Sequence, residues 1–552
     1  MARPWKKSYP PQVAHEIDLT KFTSIMDIFD QSVRRFRTKK SFTNMGASLT
    51  FERLDQMVGQ LASFFQNELK LKKGDRIAIQ MPNLLQYPVV MFAALRVGLI
   101  VVNTNPLYTA TEMRYQFKDS GAKAIVILAN FAHLLEEVIK DTDIRSVIVT
   151  EVGDFLPFPK NFVVNSVIKY LKKMVPAYHL PQAYRLQQCL EIGSRNTYSD
   201  VPLSLDDIAF LQYTGGTTGV SKGAILTHKN IVGNMQQIVE WMKPVLQEGE
   251  EIIITALPLY HIFSLTVNCL TFMTYGGENI LITNPRDIAG FIKTLNSVQF
   301  TVLTGVNTLF NALMNHRDFS TINFSHLRLT IAGAMALQKP VSDRWKELTK
   351  NQIFEAYGLT EASPGVCCNP ITGGDIVGTI GLPLPSTDIE LWDDFDQPVK
   401  QGEAGELCIR GPQVMQGYWN RSDETVKVLK DGWLRTGDVA IMLPNGFFKI
   451  VDRKKDMILV SGFNVYPNEV EEAIASHPGV AEVAVVGIPD NQSGEAVKAF
   501  IVKKDFSITE QDIIDHAKKS LTNYKVPKSV EFRTELPKTN VGKILRRALR
   551  TS

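Results

Sequence analysis

Short apolar segments that alternate with helical stretches constrain the fold of this chain more than any other feature. Segments such as Arg76–Gln80, Ile100–Asn103 and Ala124–Leu128 are mostly apolar and too short to be independent helices. Strands buried on both faces have this composition, and their alternation with helices predicts parallel sheets covered by helices. We therefore predict an α/β fold whose large N-terminal domain consists of stacked α/β layers.

The sequence pattern changes twice toward the C-terminus. A chain of 552 residues is too long for one ordinary core, so several domains are expected. After about Gly374, glycines, prolines and the short alternating strands Asp388–Leu391 and Glu406–Arg410 predict a small β-barrel-like subdomain over residues 375–452. A charged run at 452–456 then precedes a helix over Pro467–His477, strands over Val480–Gly487 and Ala499–Lys503, and a second helix that begins near Thr509. We predict an N-terminal domain over 1–452 and a small α+β domain over 453–552, joined by a polar hinge.

Composition and charge exclude several classes of protein. The 60 Lys and Arg residues nearly balance the 57 Asp and Glu residues, so no nucleic-acid partner is expected. Five cysteines without metal-ligand spacing favour reduced thiols and a cytoplasmic location. The best candidate for a membrane span, Ile77–Ile100, contains Pro82, Asn83 and Arg96, which a hydrocarbon core would reject.

One segment between two prolines has an unusual composition. From Phe158 to Pro181 the chain combines many apolar residues with lysines and has no acidic residue. An apolar helix face beside lysines is typical of a helix that lies on a membrane surface. A surface helix that packs on its own protein explains the pattern equally well, so both interpretations stay open.

A run rich in glycine and hydroxyl side chains follows the apolar segment Ile208–Leu211. Glycines allow backbone N–H groups to approach an anion closely, and the hydroxyls and a lysine add donors and positive charge. The run differs from a Walker loop because serine, not glycine, precedes its lysine. A polyphosphate-binding loop is favoured over a flexible surface loop, and its residues are Tyr213, Thr214, Gly215, Gly216, Thr217, Thr218, Gly219, Val220, Ser221, Lys222, Gly223 and Ala224.

A second motif combines an aromatic ring, a turn glycine, a hydroxyl and a carboxylate. An aromatic ring can stack on a purine, while hydroxyl and carboxylate oxygens suit Mg²⁺. Helix capping by Thr360 and Glu361 is an equally simple explanation of the last two residues. The members of this motif are Glu355, Ala356, Tyr357, Gly358, Leu359, Thr360 and Glu361.

Three further side chains have weaker sequence signals. Asp438 lies between turn residues, where a carboxylate can accept hydrogen bonds from a ribose diol or form a turn. His261 stands among apolar residues, where a packed core histidine is the commoner case. Lys543 follows a glycine in a loop, where an exposed functional lysine and a charged tail are both consistent with the pattern.

Six motifs in a fixed order resemble the adenylate-forming acyl-CoA synthetase superfamily. They are YTGGTTGVSKGA, LPLYHIF, YGLTE, GWLRTGD, DRKKDMILVSGFNVYPNEVE and PKTNVGK, and the resemblance extends over nearly the whole chain. Within the superfamily, the stretch Asp431–Asp456 and the segment Lys169–Pro181 are similar to bacterial long-chain fatty-acid–CoA ligases. We identify that family as the one the sequence resembles.

The resemblance implies a reaction in two halves. A fatty carboxylate attacks the α-phosphorus of ATP to give an acyl-adenylate and pyrophosphate, and the thiol of coenzyme A then displaces AMP. Mg²⁺ is the implied cofactor, and ATP, coenzyme A and a fatty acid are the implied substrates. The resemblance also implies that the C-terminal domain is mobile and rotates about Lys455 between the two halves.

The resemblance assigns roles to individual residues. The ATP site is expected to include the loop 213–224, residues 355–358, Gly333, Ala334, Asp438 and Arg453, with Asp438 and Arg453 on the ribose. Catalytic roles are implied for Lys543, Thr360 and Glu361, and Lys543 is expected to bridge the acyl carboxylate and the α-phosphate. The implied metal ligands are Thr217, Thr360 and Glu361; the implied acyl pocket is His261, Phe263 and Gly305; the implied coenzyme A segment is Ser461, Gly462 and Phe463.

Several functional alternatives remain open at this point. A fatty acyl-AMP ligase would stop at the adenylate, and a medium-chain or aryl acid–CoA ligase would share every motif. A non-catalytic lipid-binding protein that kept the fold would not need Lys543, Glu361 and Asp438. Peripheral contact with the cytoplasmic face of the inner membrane and formation of a homodimer are predictions that the sequence leaves untested.

Overall fold

The computed structural model describes residues 3–214, 221–461, 463–490, 493–539 and 544–550. In this part of the chain, two large sheets form the N-terminal region. One large apolar core contains residues of both sheets, such as Ile79 and Ile253, together with the helix Gln86–Arg96, which is buried from Gln86 to Leu95. This arrangement of sheets and buried helices confirms the predicted stacked α/β layers.

The first large sheet is parallel in its interior and antiparallel at both edges. Its interior strands are buried on both faces, which explains their nearly continuous apolar sequences. Its nine strands in the described residues are, in spatial order, Leu382–Pro383, Gly365–Cys368, Ile353–Gly358, Leu329–Ala332, Val302–Gly305, Ile252–Thr255, Glu278–Leu281, Lys40–Asn44 and Ala47–Thr50.

The second large sheet has parallel strands in the centre and three antiparallel strands at one side. Two of these three, Ile208–Thr214 and Lys222–Thr227, flank the predicted phosphate loop. Its eight strands in the described residues are, in spatial order, Gly417–Tyr418, Lys222–Thr227, Ile208–Thr214, Ile100–Asn103, Arg76–Gln80, Ala124–Leu128, Ser146–Thr150 and Tyr184–Arg185.

Helices connect the parallel strands, as crossovers in parallel sheets require. Several begin at a threonine whose hydroxyl accepts the third N–H of the helix, as Thr109 and Thr227 do. The helices are Ile25–Phe36, Phe51–Asn67, Gln86–Arg96, Ala110–Ser120, Ala132–Val138, Lys160–Ser166, Leu186–Gly193, His228–Met242, Phe272–Thr274, Ile288–Leu295, Asn307–Met314, Lys339–Thr349 and Ser422–Val428, with π-helical turns at Val167–Leu171 and Ser264–Thr271.

A small antiparallel sheet follows, where glycine and proline became frequent in the sequence. Its strands in the described residues are Asp388–Trp392, Gly405–Arg410, Leu429–Lys430, Trp433–Met442 and Phe448–Arg453. Asp388–Trp392 and Gly405–Arg410 match the two strands predicted there to within one residue at each end.

The C-terminal region has its own apolar core, which is built from residues between Ile458 and Leu521. Its strands are Ile458–Val460, Phe463–Val465, Val480–Asp490, Gly494–Lys503 and Ser529–Arg533, and its helices are Pro467–Ala475, Glu510–Ala517 and Arg546–Arg550. The two central strands form a long antiparallel pair that extends beyond the segments predicted from sequence. A boundary between residues 452 and 453 stays a prediction.

Among the described residues, every helix is too short or too polar to cross a bilayer. The lysine-rich segment forms the helix Lys160–Ser166 and a π-helical turn over Val167–Leu171. Five of its large side chains are exposed: Phe158 by 84%, Phe162 by 68%, Tyr170 by 69%, Leu171 by 77% and Met174 by 53%. Ile168 is partly buried, and Val175 packs against an apolar core of the protein.

Candidate active site

The predicted purine and ribose residues lie together where the first large sheet meets the small antiparallel sheet. The phenol of Tyr357 donates a hydrogen bond of 2.6 Å to the carboxylate of Asp438. Asp438 lies opposite Arg453 in neighbouring strands, and the Arg453 Nε is 3.1 Å from its other oxygen. Burial, followed by the charge of Asp438, raises the pKa of Tyr357 well above its usual value, so the phenol keeps its proton. Asp438 and Arg453, which are predicted to bind the ribose, therefore contact each other directly.

Glu355 lies on the same strand as Tyr357 and is 9% exposed. Its carboxylate accepts hydrogen bonds from the N–H of Leu337 at 3.2 Å and of Gly378 at 2.8 Å. Burial raises its pKa to about 7, and the two N–H donors only partly offset this. Glu355 thus ties the loop after the strand Leu329–Ala332 to the loop before the strand Leu382–Pro383.

The predicted catalytic carboxylate is oriented by a tyrosine from another sheet. Thr360 and Glu361 form a short 3₁₀ turn at the end of the strand Ile353–Gly358. The Tyr418 phenol donates a 2.7 Å hydrogen bond to Glu361 Oε1, and the N–H of Met415 donates to the Glu361 carbonyl. Glu361 is therefore held by its side chain and its backbone.

The same tyrosine joins this carboxylate to the predicted phosphate loop. The Lys222 ammonium lies 5.1 Å from the centre of the Tyr418 ring and forms an ion pair with Glu424. The hydrogen bond from the Lys222 ammonium is the main cause that lowers the pKa of the Glu424 carboxyl to about 2. Lys222 is thus held by a carboxylate, with which a polyphosphate would compete for the same cation.

The predicted phosphate loop joins two antiparallel strands, and Thr214 lies opposite Lys222 across that pair. Ser221 donates a hydrogen bond to the Thr214 carbonyl at 2.7 Å, and the Tyr213 phenol donates to Asp119 at 2.6 Å. Gly223 packs against the Tyr213 ring, and Ala224 is buried. The predicted loop residues Gly215, Gly216, Thr217, Thr218, Gly219 and Val220 lie outside the described residues.

Aromatic rings crowd the glycines predicted to line the acyl pocket. A Cβ added at Gly305 would lie 2.7 Å from the Phe310 ring, and one added at Gly333 would lie 2.9 Å from the Phe263 ring. Phe263 therefore touches the predicted adenine-side wall as well as the acyl side. His261 is partly buried and accepts a long hydrogen bond of 3.4 Å from the Phe263 N–H.

Three further predicted residues, Ala334, Ala356 and Gly358, are partly buried. Ala334 has φ of +67°, which is uncommon for a non-glycine residue, and Ala356 lies in the strand with Tyr357. A Cβ at Gly358 would meet the Pro364 carbonyl at 2.3 Å, so a larger residue does not fit there. Each of these positions lies next to the ring or carboxylate assigned to nucleotide binding.

The predicted hinge and coenzyme A residues lie in the C-terminal region. Lys455 is exposed in the turn after the strand Phe448–Arg453. Ser461 donates its N–H to the Ser493 carbonyl, while Phe463 is 57% exposed and stacks on Tyr524 with ring centres 4.9 Å apart. Gly462 and Lys543 lie outside the described residues.

Comparison with known proteins identifies the family. The family described as AMP-binding enzyme matches residues 29–419, and its C-terminal domain matches residues 469–543. The chain belongs to this family.

Similar proteins of known name show which members of the AMP-binding enzyme family this chain resembles. It is 54% identical to a long-chain-fatty-acid–CoA ligase of Escherichia coli O157:H7 over 100% of this chain and 98% of the relative. It is 53% identical, over the same shares, to the ligase of the same name from Salmonella typhimurium. The predictions of a bacterial long-chain fatty-acid–CoA ligase and of an enzyme are confirmed.

A solved structure supports the fold of the AMP-binding enzyme. The anthranilate CoA ligase AuaEII in complex with anthranoyl-AMP aligns with a TM-score of 0.86, at 24% identity, over 97% of this chain and 98% of that one. The predicted fold class is confirmed by this similarity and by the observed sheets.

Sequence reasoning missed several residues of the candidate site. Tyr418 and Glu424 contact Glu361 and Lys222 from positions that are distant in the chain, and Phe310 fills the space beside Gly305. Tyr418 and Glu424 lie in the string GYWNRSDET, where aromatic and acidic residues follow a glycine. That composition was the only sequence signal that could have indicated them. No local pattern indicated their partners.

Replacing Glu355 with glutamine is expected to change how stability depends on pH. An ordinary glutamate carboxyl has a pKa of 4.5 and this one has a pKa of about 7 in the folded protein, so between these values the folded state binds more protons. The free energy of unfolding of wild type should therefore fall as pH rises from about 4.5 to about 7, by about 3 kcal/mol from this group. Thermal midpoints of the variant should depend less on pH between about 5 and about 7.5.

The matched control is Glu347→Gln, because Glu347 is an exposed carboxylate on the helix Lys339–Thr349. That control should keep the pH profile of wild type. An unchanged profile in Glu355→Gln would show that Glu355 ionises normally in the folded protein.

Proposed function

We propose that this AMP-binding enzyme activates long-chain fatty acids to acyl-CoA through an acyl-adenylate, with release of pyrophosphate and then AMP. The similarity to long-chain-fatty-acid–CoA ligases over the whole chain carries the proposal. The pre-formed contacts among Tyr357, Asp438 and Arg453 support a role in holding a nucleoside.

The first half needs charge neutralisation rather than a general base. A fatty carboxylate is already ionised near neutral pH, because carboxyl pKa values lie near 4. The barrier therefore comes from bringing an anion to a polyphosphate. Lys222, the N–H groups of its loop and Lys543 would oppose this repulsion as negative charge redistributes on the α-phosphate.

The oxygen ligands of the site suit Mg²⁺. Glu361 offers a carboxylate that Tyr418 already orients, and Thr360 offers a hydroxyl in the same turn. Mg²⁺ prefers such hard oxygen ligands together with substrate phosphates. Thr360, Glu361 and Thr217 would hold the ion, which would neutralise phosphate charge when bound.

The second half requires the thiol of coenzyme A to reach the adenylate. Ser461, Gly462 and Phe463 are assigned to this step, with rotation about Lys455 bringing them to the site. Lys455 lies in an exposed turn between two separately packed cores, which is a suitable place for a hinge.

The acyl tail would bind among His261, Phe263 and Gly305. Transfer of each methylene from water contributes about 0.8 kcal/mol, so a long chain would provide much of the binding energy. The aromatic contacts at Gly305 and Gly333 would set the width of this pocket.

Three assays test the proposal against its alternatives. Acid-dependent release of pyrophosphate from ATP distinguishes an enzyme from a lipid-binding protein. Formation of AMP and a thioester on addition of coenzyme A distinguishes a ligase from an enzyme that stops at the adenylate. A panel of fatty acids of different length, scored by AMP formation, then distinguishes long-chain from medium-chain or aryl substrates.

The exposed apolar segment supports peripheral contact with a lipid surface. Phe162 and Leu171 project from a helical segment that also carries Lys169 and Lys172 and has no acidic residue. Apolar side chains would enter the interface while lysines contact anionic headgroups. Because a long-chain fatty acid partitions into lipid, such contact would place the enzyme next to its substrate.

Replacing Phe162 and Leu171 with aspartate is expected to weaken binding to vesicles that contain anionic phospholipid by about 10-fold or more, because each side chain loses a burial energy of about 1.5–3 kcal/mol. Cosedimentation measures this loss. The control is Phe395→Asp, since Phe395 is 84% exposed but lies in the small antiparallel region. Equal cosedimentation of the double variant and wild type would exclude this segment as the contact.

A further inference from the structure

We propose that Arg546 is a positioning residue for adenylate formation, which holds the last helix against the strand end that carries Arg453. The inference rests on the proposed function, in which Lys543 acts in the first half-reaction. Arg546 begins the last helix, Arg546–Arg550, and is three residues from Lys543 in the chain. None of the sequence motifs assigns it a role.

On one side, the Arg546 guanidinium is bound to the helix Pro467–Ala475. It donates to Asn468 Oδ1 at 2.6 Å, to Glu471 Oε2 at 2.8 Å and, through Nε, to Glu471 Oε1 at 3.1 Å. This two-point contact with Glu471 fixes the plane of the guanidinium. The last helix is therefore tied to the first helix of the C-terminal region.

On the other side, the same guanidinium faces two carboxylates that flank the predicted hinge. Its Nη1 is 3.5 Å from Asp452 and 3.7 Å from Asp456, which stand on either side of Lys455. The Asp452 side chain is fully buried and also accepts the N–H of Asn468 at 2.8 Å. Arg546 thus contacts both sides of the hinge at once.

Asp452 connects this cluster to the nucleotide side of the site. It lies opposite Val439 in the small sheet, and the next residue, Arg453, lies opposite Asp438. Arg453 in turn forms the ion pair with Asp438 that is assigned to the ribose. The partner of Arg546 is therefore the immediate chain neighbour of the candidate ribose contact.

The covalent chain makes this anchor relevant to Lys543. Lys543 precedes Arg546 by three residues, and three residues of extended chain span at most about 11 Å. Loss of the Arg546 anchor would therefore give this lysine a wider range of positions. An error of about 1 Å in the placement of a catalytic group can cost up to about 100-fold in rate. Loss of the anchor should therefore affect the half-reaction that uses Lys543.

The experiment compares the two half-reactions in Arg546→Met, Arg546→Lys and the control Arg547→Met, a neighbouring exposed arginine. We expect Arg546→Met to lower acyl-adenylate formation from oleate and ATP by about 10- to 100-fold. Thioester formation from supplied oleoyl-adenylate and coenzyme A should change by less than about threefold. Arg546→Lys should recover part of the first rate, because it keeps the charge without the two-point geometry. Arg547→Met should match wild type.

Equal loss of both half-reactions in Arg546→Met, or no loss in either, would overturn the inference. Should Arg546→Met fail to fold, Asp452→Asn removes the charge across the hinge and leaves the contacts with Glu471, and the same asymmetric loss is expected. The proposed function fails separately, because in that case wild type itself would form no acyl-adenylate.

Discussion

Replacing Lys543 with methionine is expected to lower the rate of acyl-adenylate formation by about 100-fold or more, the usual effect of removing one group that stabilises charge in a transition state. Its ammonium is assigned to the acyl carboxylate and the α-phosphate, where negative charge must be brought together. Thioester formation from supplied acyl-adenylate should be spared. Single-turnover measurement of each half-reaction checks both statements.

The matched control is Lys518→Met. Lys518 is an exposed lysine of the same region, 2.9 Å from Asp515, and its loss should leave both rates near those of wild type. Equal loss of both halves in Lys543→Met would refute the role assigned to Lys543.

Replacing Glu361 with glutamine is expected to lower the same first rate by about 100-fold or more, and to raise the Mg²⁺ concentration needed for half-maximal rate. The amide removes the negative charge that would hold the ion, while the size of the side chain is kept. Titration of the rate with Mg²⁺ at saturating ATP measures both effects.

Tyr418→Phe provides a graded comparison, because it removes only the 2.7 Å hydrogen bond to Glu361. Its effect should have the same direction and be smaller. Glu403→Gln, which changes an exposed carboxylate in a turn, should leave the Mg²⁺ dependence unchanged. A normal Mg²⁺ requirement in Glu361→Gln would remove Glu361 from the set of metal ligands.

The fold class and the family could be predicted from sequence because both depend on local patterns. Apolar segments such as Ala124–Leu128 indicate strands that are buried on both faces. The six ordered motifs indicate adenylate formation. The order of strands could not be predicted, because periodicity reports burial but not which strand is the neighbour. The pairing of Ile208–Thr214 with Lys222–Thr227, which places Thr214 opposite Lys222, is one example.

The candidate site shows the same division. Tyr357, Asp438 and Arg453 were predicted as separate members of motifs, and the structure brings them into contact. Tyr418 and Glu424 were missed because hydrogen bonds and ion pairs between distant residues leave no periodic trace in a single sequence.

The sequence by itself determined the alternating layers, the order of the motifs and thus the class of reaction, because these depend on residue type and spacing along the chain. Only the tertiary structure decided that Tyr418 orients Glu361, that Glu424 holds Lys222 and that Arg546 meets Asp452. These contacts join segments that are far apart in the chain. They depend on the packing of whole sheets and helices. The composition of one segment does not show which distant residue will be its partner.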